Sequence, residues 1–377
     1  MHILISSQRY FGIRQSRLNL IRALLSRGHE VTLVTNFEGA DPEAEIDDAG
    51  FTAIQAPFSV GSMVLRHEIE GARVLMREIR RRKPSIVHLF NAKPVLLGGM
   101  LIKLLHRHRP PILITTITGL GYSFSSSRSL GKVAGLLYGF SASRVDQHIF
   151  QNQANMDFFM SQGWAAPERS LKVAGSGVDL NRFAGLTRKP NDGRLRILFA
   201  GRFLRSKGVG DFLDIAQRAR AEGLAIDFLL AGEHVSHPDA FPRAEIEAAA
   251  ADGLITDLGF IHNIPELLER IDVLMLPSSY AEGIPRVLME AGAMRIPAIV
   301  YENPGVEEFV KDGDTGFVVA PHDTTTATAL LATMADNPNL VGLLGERACR
   351  RVETEFDMNN IDATHVSLYE KMAAEID

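Results

Sequence analysis

Val273-Leu274-Met275-Leu276-Pro277-Ser278-Ser279-Tyr280-Ala281-Glu282-Gly283-Ile284-Pro285-Arg286-Val287-Leu288-Met289-Glu290-Ala291 reads as strand, loop and helix start in one stretch. The apolar run at its head has the length of a buried strand. Pro285, with its fixed φ and missing N–H, suits the first helical turn, and the Gly283-Ile284 step before it lets the backbone come close to a ligand. Free N–H groups around Pro285 to Leu288 then face an anion, with Glu282 on the loop and Glu290 one to two turns inside the helix. One ligand with a charged middle and hydroxyls at both ends fits that layout.

The same strand-and-helix alternation extends outward in both directions. Downstream of a pause between Gly185 and Arg194, where Lys189-Pro190-Asn191-Asp192-Gly193 reads as a linker, strands are expected at Arg196–Ala200, Ala225–Leu230, Ile255–Leu258, Val273–Leu276, Ala298–Val300 and Gly316–Val319. Upstream, the corresponding runs are Ile3–Ile5, Val31–Val34, Ile86–Leu89, Ile112–Thr115 and Gln147–Phe150. Between the first two of these, Leu18, Ile21, Leu24 and Leu25 share one helical face that stops at Gly28. Repeated β-α-β units imply parallel sheets covered on both faces, with ligands at the carboxyl ends of the strands. The expected architecture is α/β, two Rossmann-like domains facing a central cleft. Residues 1–185 form the first domain, 186–356 the second, and a final helix in 357–377 returns to the first, with Val366, Leu368, Tyr369 and Met372 available for packing.

Bulk properties agree with two domains. The chain has 377 residues, 46% hydrophobic and 23% charged, too long for one ordinary core, and no apolar run approaches the roughly 18 residues of a membrane span. Met1-His2-Ile3-Leu4-Ile5 enters a strand pattern without a basic leader, so a cytoplasmic location is expected. Cys349 is the one cysteine and reads as an inert thiol. Charge is uneven: residues 1–187 hold 22 Lys+Arg against 14 Asp+Glu, and residues 188–377 hold 18 against 31. Arg73, Arg77, Arg80, Arg81, Arg82 and Lys83, followed by Lys103, Arg107, Arg109, Arg128 and Lys132, offer a basic face to anionic lipid or a phosphorylated substrate. A solvated helix face is the plainer reading of any one of these charges.

The second domain opens with another strand, loop and helix, Gly201-Arg202-Phe203-Leu204-Arg205-Ser206-Lys207-Gly208. Arg202 and Lys207 flank the loop, and two fixed cations at a helix N-terminus neutralise a diphosphate and the charge that grows on it as it leaves. The alternative is that Arg205 and Lys207 cap a loop. His88 and His148 read as core histidines, and they form no metal set with His234 and His237, so no metal or other cofactor is expected. Trp164 and Phe158-Phe159 read as core packing. Arg286 is placed either at a phosphate or in solvent.

Several ordered motifs now combine: Gly-Arg-x4-Lys-Gly at 201–208, Ala231-Gly232-Glu233, Leu258-Gly259-Phe260, Glu-Gly-x-Pro-x4-Glu-Ala at 282–291, Arg295-Ile296-Pro297, and Gly305-Val306-Glu307-Glu308 through Asp312-Gly313-Asp314-Thr315-Gly316-Phe317. With these the chain resembles the GT-B glycosyltransferases of family 4. The resemblance implies that Arg202 and Lys207 hold a donor diphosphate, that Glu290 accepts hydrogen bonds from two ribose hydroxyls, and that Glu282 faces the donor sugar. It further implies that Gly232 and the backbone of Gly283, Ile284, Pro285, Arg286, Val287 and Leu288 border the sugar and phosphates, and that Phe260 and Ile261 border the base. Gly12, in the loop after the first strand, stands where the family has a glycine-rich segment. Gly119-Leu120-Gly121-Tyr122 and Gln147–Asn152 resemble the subgroup that extends polyprenyl-diphosphate-linked saccharides. Thr118 stands where many members have a histidine and is no base at neutral pH.

The expected function is retaining transfer of a sugar from a nucleoside diphosphate, UDP being the expected one, to a hydroxyl of a lipid-linked saccharide in bacterial surface glycan assembly. Glu282, Arg202 and Lys207 are the expected catalytic residues, the basic first domain is the expected contact with an anionic membrane, and no nucleic acid is involved. The rivals are a catalytically silent sugar-nucleotide-binding subunit and a UDP-sugar epimerase on the same fold.

Overall fold

The computed structural model describes residues 1–59, 64–90, 102, 110–119, 139–189, 193–280 and 283–375. The chain divides into two compact units, Met1–Gly177 with Ala281–Gly283 and Met358–Asp377, and Val178–Tyr280 with Ile284–Asp357. Positions 190–192 of the expected linker lie outside the described residues.

The first unit is built on a seven-stranded parallel sheet. Its strands are β1 His2–Arg9, β2 Glu30–Asn36, β3 Phe51–Gln55, β4 Ile86–Phe90, β5 Ile112–Ile117, β6 Gln147–Phe150 and β7 Ser170–Lys172, in the order β3-β2-β1-β4-β5-β6-β7. Successive side chains of a strand point to opposite faces, and here each face has its own core. Ile3, Ile5, Ile86, Ile112 and Ile114 enter one, while Leu4, Val87, Leu89 and Leu113 enter the other. That double coverage is why the inner strands carry apolar residues at consecutive positions, as in Ile3-Leu4-Ile5 and Ile112-Leu113-Ile114, rather than in strict alternation. The two edge strands β3 and β7 were not expected from the sequence. Both carry partly exposed residues along most of their length.

Helix Leu18–Ser26 buries Leu20, Ile21, Leu24 and Leu25. The final helix, Met358–Ala374, packs against it and sends Val366 and Tyr369 into the same core, with Leu368 and Met372 at the margin. Glu370 adds an ion pair to Arg27 at 3.2 Å and a hydrogen-bond contact with His29 Nε2 at 3.3 Å. Tyr369 reaches the sheet itself, where its hydroxyl meets His88 Nδ1, and His88 Nε2 lies 2.8 Å from Thr116 Oγ1. His148 is partnered likewise by Thr115 at 2.9 Å and the Ala142 carbonyl at 3.1 Å. Both are core histidines, as expected. Phe158, Phe159 and Trp164 form an edge-to-face aromatic cluster in the second core.

The second unit repeats the plan with β8 Leu195–Ala200, β9 Ile226–Ala231, β10 Thr256–Gly259, β11 Val273–Leu276, β12 Ala298–Tyr301 and β13 Gly316–Val319, all parallel, in the order β10-β9-β8-β11-β12-β13. Helix Val209–Ala221 lays Val209, Phe212, Ile215, Ala216 and Ala219 on this sheet. Cys349 is buried in helix Pro338–Glu355, and burial pushes its thiol up to about 11, so it is a protonated core residue at neutral pH.

Candidate active site

In the second sheet the chain runs outward from β8 through β9 to β10, then returns to the other side of β8 for β11 to β13. The loops after β8 and β11 therefore leave neighbouring strands in opposite directions, which opens a crevice at the carboxyl ends of the strands. These are the two loops that carry the cations and the glutamates.

The β8 loop is fixed by backbone hydrogen bonds on both sides. Gly201 N–H donates to the Ala231 carbonyl at 3.0 Å, Phe203 N–H to Glu233 at 3.0 Å and Arg205 N–H to Asp239 at 2.8 Å. Toward β11, the Ser206 carbonyl accepts from Ser279 N–H at 2.9 Å. Gly208 closes the loop with φ +82, and a Cβ there would stand 1.8 Å from the Pro277 carbonyl oxygen, so only glycine permits this approach. Gly232 is equally crowded, since its Cβ would lie 1.8 Å from the Gly201 oxygen. Its role in the structure is thus to let the β8 and β9 loops touch.

Arg202 is exposed and Lys207 half-buried. Both approach the ring of Tyr280, with Arg202 Cζ 5.9 Å and Lys207 Nζ 4.9 Å from its centroid. The backbone of Tyr280 is held in turn, its N–H donating to Ser278 Oγ at 3.2 Å and its carbonyl accepting from Asn303 Nδ2 at 2.7 Å.

After β11, Ala281 and Glu282 lie outside the described residues. Gly283 and Ile284 are buried, and the helix runs Arg286–Ala293. Pro285 is its N-cap (φ −60, ψ 129) rather than part of the first turn, because its extended ψ keeps it outside the helix. The row of free N–H groups is correspondingly shorter than expected. Pro285 has none, and the Leu288 N–H donates to the Pro285 carbonyl at 3.1 Å, which leaves the first-turn amides of Arg286 and Val287.

Glu290 is 5% exposed. Arg286, one turn earlier, donates to its Oε1 from both Nε at 3.1 Å and Nη2 at 2.9 Å. The i,i+4 geometry of the helix thus turns Arg286 to the carboxylate and not to solvent. Among the described residues, Arg286 Nη1 is buried without a hydrogen-bond partner.

After β10, Phe260 is 44% exposed and its ring meets His262 edge-on at 4.8 Å, with Ile261 half-buried beside it. Sheet order thus lays out Phe260, Gly232, the cation loop and the Glu290 helix in succession along one edge. Gly12 is different. It lies inside helix Tyr10–Ser16, exposed, with no described protein atom within 4 Å of where a Cβ would be, and the expected loop is a helical turn. Thr118 and Gly119 are described, while Leu120, Gly121 and Tyr122 lie outside the described residues, as do Lys103, Arg107, Arg109, Arg128 and Lys132.

Two family models cover most of the chain: "Glycosyltransferase Family 4" over residues 12–182 and "Glycosyl transferases group 1" over residues 194–337. The chain belongs to the family 4 glycosyltransferases. The chain is 26% identical over 263 residues to the putative colanic acid biosynthesis glycosyltransferase WcaL of Salmonella typhimurium, a match that covers 63% of this chain and 64% of WcaL. It is 31% identical over 160 residues to the alpha-D-kanosaminyltransferase of Streptomyces kanamyceticus, 42% of this chain and 40% of that one. The chain therefore spans less than two thirds of the length of these two relatives. A longer match, 92% of this chain and 90% of the relative at 22% identity, is to the UDP-Gal:alpha-D-GlcNAc-diphosphoundecaprenol alpha-1,3-galactosyltransferase of Escherichia coli. The fold is shared with sucrose-phosphate synthase from Thermosynechococcus elongatus (TM-score 0.80, 18% identity, all of both chains). It is shared also with the Anabaena protein HepE solved with UDP-glucose (TM-score 0.76, 16% identity, 98% of this chain and all of that one).

Proposed function

We propose that this glycosyltransferase moves a sugar from a UDP-sugar to a hydroxyl of a lipid-linked saccharide in bacterial surface polysaccharide biosynthesis, with retention at the anomeric carbon. The observation that carries the reading is the pairing of loops at the β8–β11 crevice, which puts two cations on one side and a buried, oriented carboxylate on the other. The E. coli relative, named for a UDP-sugar donor and a diphosphoundecaprenol-linked acceptor, supports the choice of substrates. In this reading Glu290 takes the ribose hydroxyls, Arg202, Lys207 and the first-turn amides of Arg286 and Val287 take the diphosphate, and Phe260 and Ile261 border the base.

During transfer the bond between the sugar's anomeric carbon and the phosphate oxygen breaks, and a bond to the acceptor oxygen forms on the same face. The electron pair leaves with the diphosphate, whose growing charge the two cations stabilise more strongly than the ground state. The acceptor proton goes to a diphosphate oxygen, and Glu282 orients the sugar. Charge neutralisation by side chains is the basis for proposing that no metal is needed. Thermal stabilisation across a panel of nucleotide sugars, followed by NMR of the product's anomeric configuration, tests donor and stereochemistry. Lys207→Ala should lower kcat about 10²-fold or more with a smaller change in KM. Unchanged turnover would remove Lys207 from the mechanism, and loss of activity in EDTA, restored by a metal, would overturn metal independence.

The acceptor proposal carries a membrane with it. Arg66, Arg73, Arg77, Arg80 and Arg81 lie on the exposed side of helix Leu65–Arg82, with Leu65 and Ile69 exposed at its start. Buried Glu78 anchors Arg77, Arg81 and Arg82 from beneath. Basic and apolar residues on one helix face suit an anionic bilayer surface, and a peripheral, cytoplasmic-face location follows. No described helix is long and apolar enough to cross a membrane. Co-sedimentation with anionic but not neutral vesicles, lost in Arg73→Glu/Arg80→Glu, is expected; equal recovery with both vesicle types would exclude this face.

A further inference from the structure

The cation loop is strapped by a segment that neither the motif nor the diphosphate reading uses. After β9 the chain comes back along the β8 loop at 233–241, with an antiparallel bridge between Leu204 and Ala240. Phe203 N–H donates to the Glu233 carbonyl at 3.0 Å, the Phe203 carbonyl accepts from Phe241 N–H at 2.9 Å, and Arg205 N–H donates to the Asp239 carbonyl at 2.8 Å. Asp239 is fixed from within the strap as well, its N–H donating to His237 Nδ1 at 3.1 Å. Its carboxylate then reaches Ser206, where one oxygen, Oδ2, accepts from the backbone N–H at 3.2 Å and from the Oγ hydroxyl. The Ser206 carbonyl in turn accepts from Ser279 N–H at 2.9 Å. Strap, cation loop and the β11 loop that leads to Glu282 therefore meet at this one serine.

Arg205–Lys207 is a single 3-10 turn, and the first amides of any helical turn have no partner inside it. A Ser, Thr, Asp or Asn at the N-cap ordinarily supplies the acceptor. Here the N-cap is Leu204, whose side chain can accept nothing. Asp239 fills that role from another loop, its carbonyl taking the Arg205 N–H and its carboxylate the Ser206 N–H. Arg202 stands just before this turn and Lys207 ends it, so the turn sets their backbone positions whatever else their side chains touch. We propose that Asp239 is a positioning residue that caps the Arg205–Lys207 turn and so holds the cation loop, and through Ser206 and Ser279 the β11 loop, in the arrangement that receives the diphosphate. A loop ordered before the ligand arrives lowers the cost of binding it. Because both Ser206 donors converge on one oxygen, the geometry calls for an acceptor at that point rather than for a charge.

This rests on the nucleoside-diphosphate reading, and the experiment separates the two. UDP and uridine affinities are measured by calorimetry for the full chain, Asp239→Ala and Asp239→Asn, with ligand-free hydrogen exchange on peptides covering 203–208. Asp239→Ala should bind UDP about tenfold more weakly, bind uridine as the unmodified chain does, and exchange faster at 203–208. Asp239→Asn should regain both UDP affinity and protection, because an amide oxygen in the same place accepts from both Ser206 donors. Ser206→Ala carries the test where Asp239→Ala does not fold: it keeps the N–H donor, loses the hydroxyl, and should weaken UDP about threefold with uridine unchanged. Unchanged UDP affinity in Asp239→Ala, equal weakening of UDP and uridine, or an asparagine variant as weak as the alanine one would each overturn the assignment. An unmodified chain that binds UDP no more tightly than uridine would overturn the donor reading itself, and the diphosphate role of Asp239 with it.

Discussion

Replacing Arg286 by leucine removes one half of a buried ion pair and keeps most of the stem that packs around it. The Glu290 side chain is 6% exposed and that of Arg286 19%. Removing one partner of a fully buried pair costs about 3–5 kcal/mol, because the other charge stays behind without compensation. Here the fifth of Arg286 that reaches solvent lets water approach the remaining carboxylate, so the lower end is expected, about 2–3 kcal/mol. Glu290→Leu should cost about as much, whereas the double variant should lose only about 1 kcal/mol, since two apolar side chains of similar volume replace the pair. The cycle thus predicts a coupling energy of about 3–5 kcal/mol between neighbours in one turn. The assay has to look at the correct unit. The chain's one tryptophan, Trp164, packs in the first unit, so its fluorescence would miss the change. Far-UV circular dichroism in urea, with hydrogen exchange read on peptides covering 286–293, follows the second unit directly. Additive single effects, or an Arg286→Leu variant within about 0.5 kcal/mol of the parent, would refute the claim that this pair holds the carboxylate.

Gly208→Ala should destabilise the second unit by more than the roughly 1–2 kcal/mol of a left-handed alanine, because its Cβ meets the Pro277 carbonyl at 1.8 Å; hydrogen exchange that stays unchanged in 201–208 would contradict this. Acid should weaken the first unit before the second. Burial lowers His148 to about 4 and His365 to about 3, and holds His88 well below its ordinary range. The unfolded chain therefore binds more protons than the folded one below about pH 6.5, so stability is complete above that pH and falls as pH drops toward 4 and then 3. The slope is at most about 1.4 kcal/mol per pH unit for each histidine. Trp164 fluorescence during urea melts at pH 7, 5.5 and 4.5 checks it, and a midpoint independent of pH over that range would count against the buried neutral state.

Much of this molecule can be read from its residues because parallel strands covered on both faces advertise themselves. Val273–Leu276 is apolar throughout and Ile86–Leu89 is interrupted by His88 alone, and no surface segment has reason to be so apolar. The edge strands β3 and β7 lack that signature, since one side of each has no neighbouring strand and their residues are partly exposed. Within the site, Glu290 and the two cations were legible from spacing. The four-residue interval from Arg286 to Glu290 was equally visible, but whether the guanidinium turns to a carboxylate or to an anion at the helix start is decided by packing. Tyr280 was hidden for a different reason. Its ring meets Arg202 and Lys207 only because the Ser206 carbonyl takes the Ser279 N–H, a contact between segments more than seventy residues apart that no local pattern announces.

The return of helix Met358–Ala374 to the first unit bears on how the protein is made. Ile361, Val366 and Tyr369 fill a core whose other buried members come from the first half of the chain, yet they are translated only after the whole second unit. At about 5–20 residues per second, the first sheet waits roughly 10–40 s on the ribosome with that groove open and His88 lacking its tyrosine. The second unit has no such dependence and can close as soon as it emerges. Order of synthesis and order of completion are thus reversed between the two halves, and the nascent first half is the natural client for a chaperone that shields apolar surface.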